Sequence, residues 1–492
     1  NQNILNSQHT VALGNNIKTS GSLTSLAAGN DTTITNSRLA TAVGDRTSVT
    51  DSTGSSAFGA GSSIIKANHS TAVGAKASVN ESQSSFAGGE NASITGGYGN
   101  IAIGFTSTVS NTFGSSAIGY QSSVTGNSRG MALGTHAKVT DSDRGTALGA
   151  SASVTNSASA SASGNNASVT DSSYAQADGA GAKVTSSKSA TAVGNDAIVT
   201  NSGSATAVGN GANITNSASS VAVGQLASVT NSNVSTASGY KAKITDSYQA
   251  QAYGTGNSIA NSNQASAFGV NSSITSSASG VAIGNNAKLN SAADGIAIGS
   301  SANVTSVANG IAIGKNVKVD GENSVSLGPN SAVSAVQATA IGSLANATKD
   351  NSVALGANAT TDTDATQQAS ATLNGLNYGT FEGQVTDPGM QVSVGSVGAE
   401  RQIKNVGSGE ISTTSTDAIN GSQLYATNAV LGNVGNTIFS RPGINDYDKI
   451  NHFLEPEFTR QEILKLPNFN CIARLLIDNI PSEPFVMQTK RI

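Results

Sequence analysis

Apolar residues along this chain return on a strict fifteen-residue beat. A glycine closing motifs such as Val11-Ala12-Leu13-Gly14 and Ile311-Ala312-Ile313-Gly314 recurs every 15 residues from Gly14 to Gly314, 21 copies without a slip. Three more, Gly328, Gly342 and Gly356, follow at a spacing of 14. Two residues before the glycine, alanine stands in all 21 longer repeats. Five residues after it, Val, Ile or Leu stands in 20 of 21, with Thr19 the exception. Thr, then Asn or Asp, then Ser usually come next, as in Val199-Thr200-Asn201-Ser202. Because the regularity lies within one chain, it reports a geometry that is rebuilt at every turn.

Each repeat reads as two short strands, x-Ala-x-Gly and Ala-x-Val-Thr, alternating with period 2. Asn, Asp, Ser and Gly between them suit turns, and the Gly, Thr, Asn and Val content disfavours helix. The expected fold is all-β: a parallel solenoid or β-roll of 15-residue, then 14-residue, coils. At the ordinary strand spacing of about 4.8 Å, the stretch from Gly14 to Gly356 spans roughly 110 Å. The Ala and Val/Ile columns are the expected interior. The positions one and three before the glycine lie on the opposite face and are often apolar, as at Leu13, Val43, Phe58, Ile103, Ile118, Leu148, Ile283, Ile298 and Ile313. On a lone chain they form an apolar stripe longer than monomers normally expose, so burial against further copies is expected. Ser163, Gln176, Asp178, Ser238 and Gln251 interrupt the stripe; the expectation there is a solvated face, with trapped water or ions as the alternative.

Composition narrows the function. Aromatics make up 4% and charged residues 11% of 492 residues, with a net charge of −4, no Trp and one cysteine. Thin β layers fit this better than a thick globular core. Disordered chains carry more charge and lack periodic β-branched residues. No basic patch points to nucleic acid. Cys471 alone excludes an internal disulfide framework and is expected as a partly buried or free thiol rather than a nucleophile. His9, His69, His136 and His452 are scattered without metal-ligand spacing. Gly254-Thr255-Gly256 lacks the Lys-Ser/Thr of a phosphate loop, and no Gly-Gly-x-Gly-x-Asp calcium repeat occurs. No cofactor, metal or catalytic residue is expected, and no enzyme. Lys18, Lys138, Lys183, Lys243, Lys288 and Lys318 share the position four after the glycine. They are expected on a solvated face that discourages stray strand pairing, with charge complementarity to a matrix ligand as the functional alternative.

The repeats resemble the head of YadA-like trimeric autotransporter adhesins. The nearest matches are Asn323-Ser324-Val325-Ser326-Leu327-Gly328, with Ser326 in the alanine column, and Asn351-Ser352-Val353-Ala354-Leu355-Gly356. The family's neck is similar to Ser396–Val406, containing Glu400, Arg401, Gln402, Ile403, Asn405 and Val406, and to Thr416–Ala426, containing Asp417, Ala418, Ile419, Asn420, Gly421, Ser422, Gln423, Leu424 and Tyr425. The resemblance implies a homotrimer of left-handed parallel β-rolls, a clamping neck and the start of a coiled-coil stalk. It also implies a place at the bacterial outer membrane and attachment to collagen, fibronectin, laminin, host cells or other copies of itself. On this reading residues 1–360 are head, 361–430 connector and neck, and 431–438 the stalk's start. Matrix contact is assigned to Asn323, Ser324, Val325 and Leu327 and to Asn351, Ser352, Val353, Ala354 and Leu355.

Residues 439–492 depart from that pattern. Five of the seven Pro and five of the eleven Phe fall there, and no membrane strands with a terminal aromatic follow. A short helix at Glu462–Leu466 and a strand at Ala473–Asp478 are expected, in a segment foreign to the family and without its anchor. The opening Asn1-Gln2-Asn3 reads as a mature form or a fragment. The rival functions are a passive spacer or ice-binding solenoid, which would need flat paired Thr rows, and a solenoid acyltransferase, whose coils run to about 18 residues.

Overall fold

The repeat folds as its alternation requires. The structure, a computed structural model, describes residues 2–126, 128–433, 437–440, 454, 458–468, 470–477 and 480–488. Contacts divide the chain into two units, residues 1–365 with 387–400, and residues 366–386 with 401–492. The first is a parallel β-solenoid. Each coil gives one strand just before the glycine, as in Thr191–Val193 and Thr206–Val208. It gives a second strand four to six residues after the glycine, as in Ile198–Thr200 and Asn213–Thr215. Like strands stack in register, Ala192 on Ala207 on Ala222 and Val184 on Val199 on Ile214. Two parallel sheets result, one of 24 described strands, and they enclose a thin core.

Five residues per coil point inward. In one coil these are Ala197, Val199, Ser202, Ala205 and Ala207, all without solvent exposure. Others face outward from the strands, and the rest turn the corners, which demand positive φ at three places: Asp196 (53°), Asn201 (50°) and Ser204 (56°). Short polar side chains tolerate that region best. The glycine has a second reason to be there. Gly209 has a φ of 135°, and a Cβ on it would lie 2.5 Å from the Gly224 carbonyl oxygen of the next coil. No side chain fits.

The serine eight residues after the glycine holds successive coils together. The Ser217 N–H donates to Ser202 Oγ (2.8 Å), while the Ser202 hydroxyl donates to the Thr200 carbonyl (2.7 Å). The same pair of bonds recurs from Ser142 to Ser277, where Ala292 N–H makes the last rung at 2.9 Å. A buried backbone donor left by the turn is thereby satisfied at each coil. Elsewhere Ser55, Ser70, Ser85 and Asn100 form a second ladder three columns on.

The last coil carries an excursion. After Thr361, which is buried, the chain leaves the roll; it returns so that Val392 and Ser393 pair in parallel with Val353 and Ala354. Gly395 thus occupies the repeat's glycine position, and Ser393 its alanine column. The excursion holds an antiparallel hairpin, Ala371–Leu373 with Leu376–Tyr378.

In the second unit a helix covers Gly421–Asn433. Beyond it, Thr437–Ser440, Asn470–Arg474 and Phe485–Gln488 form a small antiparallel sheet. The expected short helix lies at Arg460–Leu464, two residues earlier than the sequence suggested, because Thr459 starts it: its N–H donates to Glu462 Oε2 at 2.8 Å. The Thr459 hydroxyl, which donates to the same oxygen at 2.6 Å, and after it the Thr459 N–H draw the Glu462 carboxyl below its ordinary value. The expected strand at Ala473–Asp478 is split between Asn470–Arg474 and Leu476–Ile477, and Asp478 lies outside the described residues. Ile463, Leu466 and Ile472 pack with Leu454, and Cys471 is buried.

Candidate interaction surfaces

Alternation gives the roll two unlike outer faces. On the face carrying the residues one and three before the glycine, Val11, Leu13, Phe58, Val73, Ile101, Ile103, Met131, Leu133, Leu148, Ile283, Leu327 and Leu355 are exposed. The stripe is broadest around Gly104 to Gly134, where aromatic residues flank it on both corners. Phe105 stacks on Tyr120 and Tyr98 on Phe113, at 5.3 and 5.5 Å between ring centres. It narrows at Ser163 and Asp178, adjacent rungs of one sheet.

The other outer face is polar. Thr125, Thr140, Thr155, Thr170, Thr185, Thr200, Thr215, Thr230 and Thr245 form nine consecutive rungs. The Thr column is uninterrupted over this stretch. Its neighbour column mixes Ser, Lys, Ile and Asn, so paired Thr rows do not form. The six lysines of that column are all exposed.

The structure divides the nine residues assigned to matrix contact. Ser324, Ser352 and Ala354 are interior. Ser324 Oγ donates to the Ala335 carbonyl at 2.8 Å, and Ser352 Oγ to the Lys349 carbonyl at 2.6 Å. These three are closed to a partner. Val325, Leu327, Val353 and Leu355 sit on the apolar stripe, while Asn323 and Asn351 turn corners at φ of 55° and 60°. Ser326, the departure from alanine, is accommodated by a hydrogen bond to Ser331 at 2.7 Å.

Around the neck, Glu400 Oε1 accepts from Gly398 N–H at 2.9 Å. That bond, followed by one from its own N–H, holds the Glu400 carboxyl below its usual range. Asn420 starts the helix. Its Oδ1 accepts from Gln423 N–H (3.2 Å) while Gln423 Oε1 accepts from Asn420 N–H (3.1 Å), a reciprocal cap. Gln423 also reaches Gly409 through both its amide atoms, and Asn420 Nδ2 donates to the Val406 carbonyl at 3.1 Å. Thus Val406 is tied to Asn420 across the neck. The apolar residues have no such cover: Val397 is 96%, Ile411 79%, Ile403 71% and Tyr425 76% exposed, with Ile419 and Leu424 also open.

Among the described residues no group of three or more His, Cys, Asp or Glu gathers where a metal could sit. None of their helices is long and apolar enough to cross a membrane, which says nothing of membrane strands. A shallow pocket of about 350 Å³ at the end of the roll is lined by Lys349, Asp350, Asp364 and Asp387. Lys349 and Asp364 already pair there at 2.6 Å.

Known families and proteins match the repeats and the segment that follows them. The YadA head domain repeat matches residues 113–137, 308–331, 320–344 and 334–359. The coiled stalk of trimeric autotransporter adhesin matches residues 402–444, starting upstream of residue 431. The autotransporter adhesin BtaE of Brucella suis biovar 1 (strain 1330) is 35% identical over 111 residues, 22% of this chain. The match spans only 14% of that relative's length. A C-terminal YadA-like domain from Burkholderia pseudomallei is 31% identical, covering 30% of this chain and 58% of its own, with a TM-score of 0.20. The collagen-binding domain of Yersinia adhesin YadA is 19% identical, covering 59% of this chain and 86% of its own, with a TM-score of 0.18. Through the head repeats and the stalk segment that follows them, this chain carries a YadA-like head and stalk region of the trimeric autotransporter adhesins.

Proposed function

We propose that the chain is the displayed part of a bacterial cell-surface adhesin, that it works as a homotrimer of left-handed rolls, and that it attaches to matrix proteins, host cells or other copies of itself. The observation that carries the reading is the apolar stripe together with the open neck. Val397, Ile403, Ile411 and Tyr425 expose far more apolar surface than a lone soluble chain keeps in contact with water. Two further copies bury the stripe, and their necks cover the open apolar residues of this one. The hydroxyl-rich face then points outward, repeated on three sides, and many equivalent weak contacts add up to firm attachment. Anchorage at the outer membrane is part of the same reading.

Matrix contact through the stretches at 323–328 and 351–356 falls to Asn323 and Asn351, since the stripe residues beside them face the sister chains. Collagen is the first ligand to test, with fibronectin and laminin beside it. The molecular mass in solution is the direct test of assembly: three chains are expected, and a single compact chain would overturn the trimer. Ile298→Asp with Ile313→Asp should give folded single chains, because both side chains lie on the stripe, outside the core. Adhesion is tested by saturable binding of the whole chain to the three matrix proteins. Binding to none of them, nor to itself, leaves a spacer.

A further inference from the structure

We infer that the polar face of the roll is a track for a linear polyanionic polysaccharide, held by Lys138, Lys183, Lys243 and Lys288. This rests on the reading above only in taking that face to be open. The four lysines stand in one column of one parallel sheet, each exposed at the first position of its strand. Ten coils separate the first from the last, about 48 Å at the usual strand spacing. Their gaps are three, four and three coils, so the charges lie in a line along the roll axis and match an extended ligand rather than a compact one.

These four lysines make no ion pair among the described residues; on this face only Lys318 is paired, to Asp320 at 2.6 Å. From Lys138 to Asn290 neither outward column of the sheet contains a carboxylate. Acids stand at both corners beside it, Asp141, Asp171 and Asp246 just past the threonine column and Asp196 two residues before Ile198. Asp171 and Asp246 accept hydrogen bonds there from Asn156 and Asn231 at 3.1 and 2.9 Å. Between the lysines the surface is mainly Ser and Thr hydroxyl, the chemistry that meets sugar hydroxyls and ring oxygens, interrupted by Ile198, Asn213 and Ala260.

A second observation falls on the same coils. Thr140, Thr185 and Thr245, each two residues beyond one of these lysines on the same face, carry hydroxyl oxygens sealed from solvent with no hydrogen-bond partner. A lysine that lifts toward an anionic sugar opens its threonine to the same ligand. Apart from Ile198, the two outward columns from Lys138 to Asn290 carry no large apolar side chain of the kind a protein hot spot needs.

The test is binding of the whole chain to heparin, hyaluronan, neutral dextran and duplex DNA. Saturable binding to heparin, weakening as salt rises, is expected. The variant carrying Lys138→Gln, Lys183→Gln, Lys243→Gln and Lys288→Gln should bind about tenfold more weakly, the scale of four screened surface contacts. Lys76→Gln with Lys315→Gln, exposed at turns, should bind as the parent does. Equal binding of hyaluronan makes the carboxylate sufficient; preference for heparin assigns the site to sulfate. Unchanged binding by the fourfold variant, absence of binding to both glycans, or equal affinity for dextran or DNA would each overturn the track. Mass and collagen binding are read separately, so failure of the trimer or of matrix adhesion is distinguishable from failure here.

Discussion

Two neighbouring substitutions separate the inside of the roll from its outside. Val199 has no solvent exposure and touches Val184 and Ile214 across the stack; Ile198, one residue earlier, points outward. Val199→Asp loses about 1.5–3 kcal/mol of apolar burial. It also places a carboxyl where every nearby backbone group is already bonded along the stack, adding about 2–7 kcal/mol even when the group stays protonated. The total is several kcal/mol, against a cost within about 1 kcal/mol for Ile198→Asp. A solenoid's coils depend on their neighbours, so the damage should be local first. Limited proteolysis should cut near residue 199 well before bulk circular dichroism melts. Equal protease resistance and equal melting of the two variants would refute the assignment of faces, and with it the interior on which the fold rests.

Three further outcomes follow from particular contacts. Ser202→Ala strips the acceptor from Ser217 N–H inside the core and should cost about 1–3 kcal/mol in thermal or chemical melts. Gly209→Ala forces an L-residue to a φ of 135° and drives its Cβ into the Gly224 carbonyl. Backbone strain alone is about 1–3 kcal/mol, so a melt shift larger than that of Ser202→Ala is expected. Glu400 has a carboxyl held below its ordinary value of 4.5 by the Gly398 N–H. Its contribution is therefore present above that value and lost as pH falls through the lowered one. A side-chain NMR titration of Glu400 should end at lower pH than that of a free glutamate, and in Glu400→Gln the Gly398 amide resonance should lose its acid-pH shift.

The columns were legible because a strand sends alternate side chains to opposite faces, so Ala207 and Val199 could be placed inside from periodicity alone. Other features were hidden for definite reasons. The buried ladder through Ser202 looks like turn chemistry in sequence, since serine serves both roles; only its return every 15 residues could have signalled an interior position. The final strand at Val392–Ser393 escaped notice because the excursion from residue 362 to 386 breaks the beat, and because serine replaces alanine at Ser393 as it does at Ser326. Asn420 and Gln423 stand three apart across the start of a helix, a capping spacing that was readable from the residues. The assignment of matrix contact to whole motifs was too coarse: period 2 alone implies that Ser352 and Ala354 face inward, away from any partner.

That alternation also explains how one sequence meets two demands. The inward columns tolerate almost nothing beyond Ala, Ser, Val and Ile, because each coil must fit the next at about 4.8 Å. The outward columns feel no such limit. Lys183, Ile198 and Asn213 follow one another at the same position on successive coils without disturbing the register of Val184, Val199 and Ile214 beneath them. Change on the displayed face is therefore nearly free of structural cost. A surface whose partners differ can diversify there while the core repeats, which is the property an attachment protein requires and a catalytic site, with its fixed convergence of groups from several elements, does not.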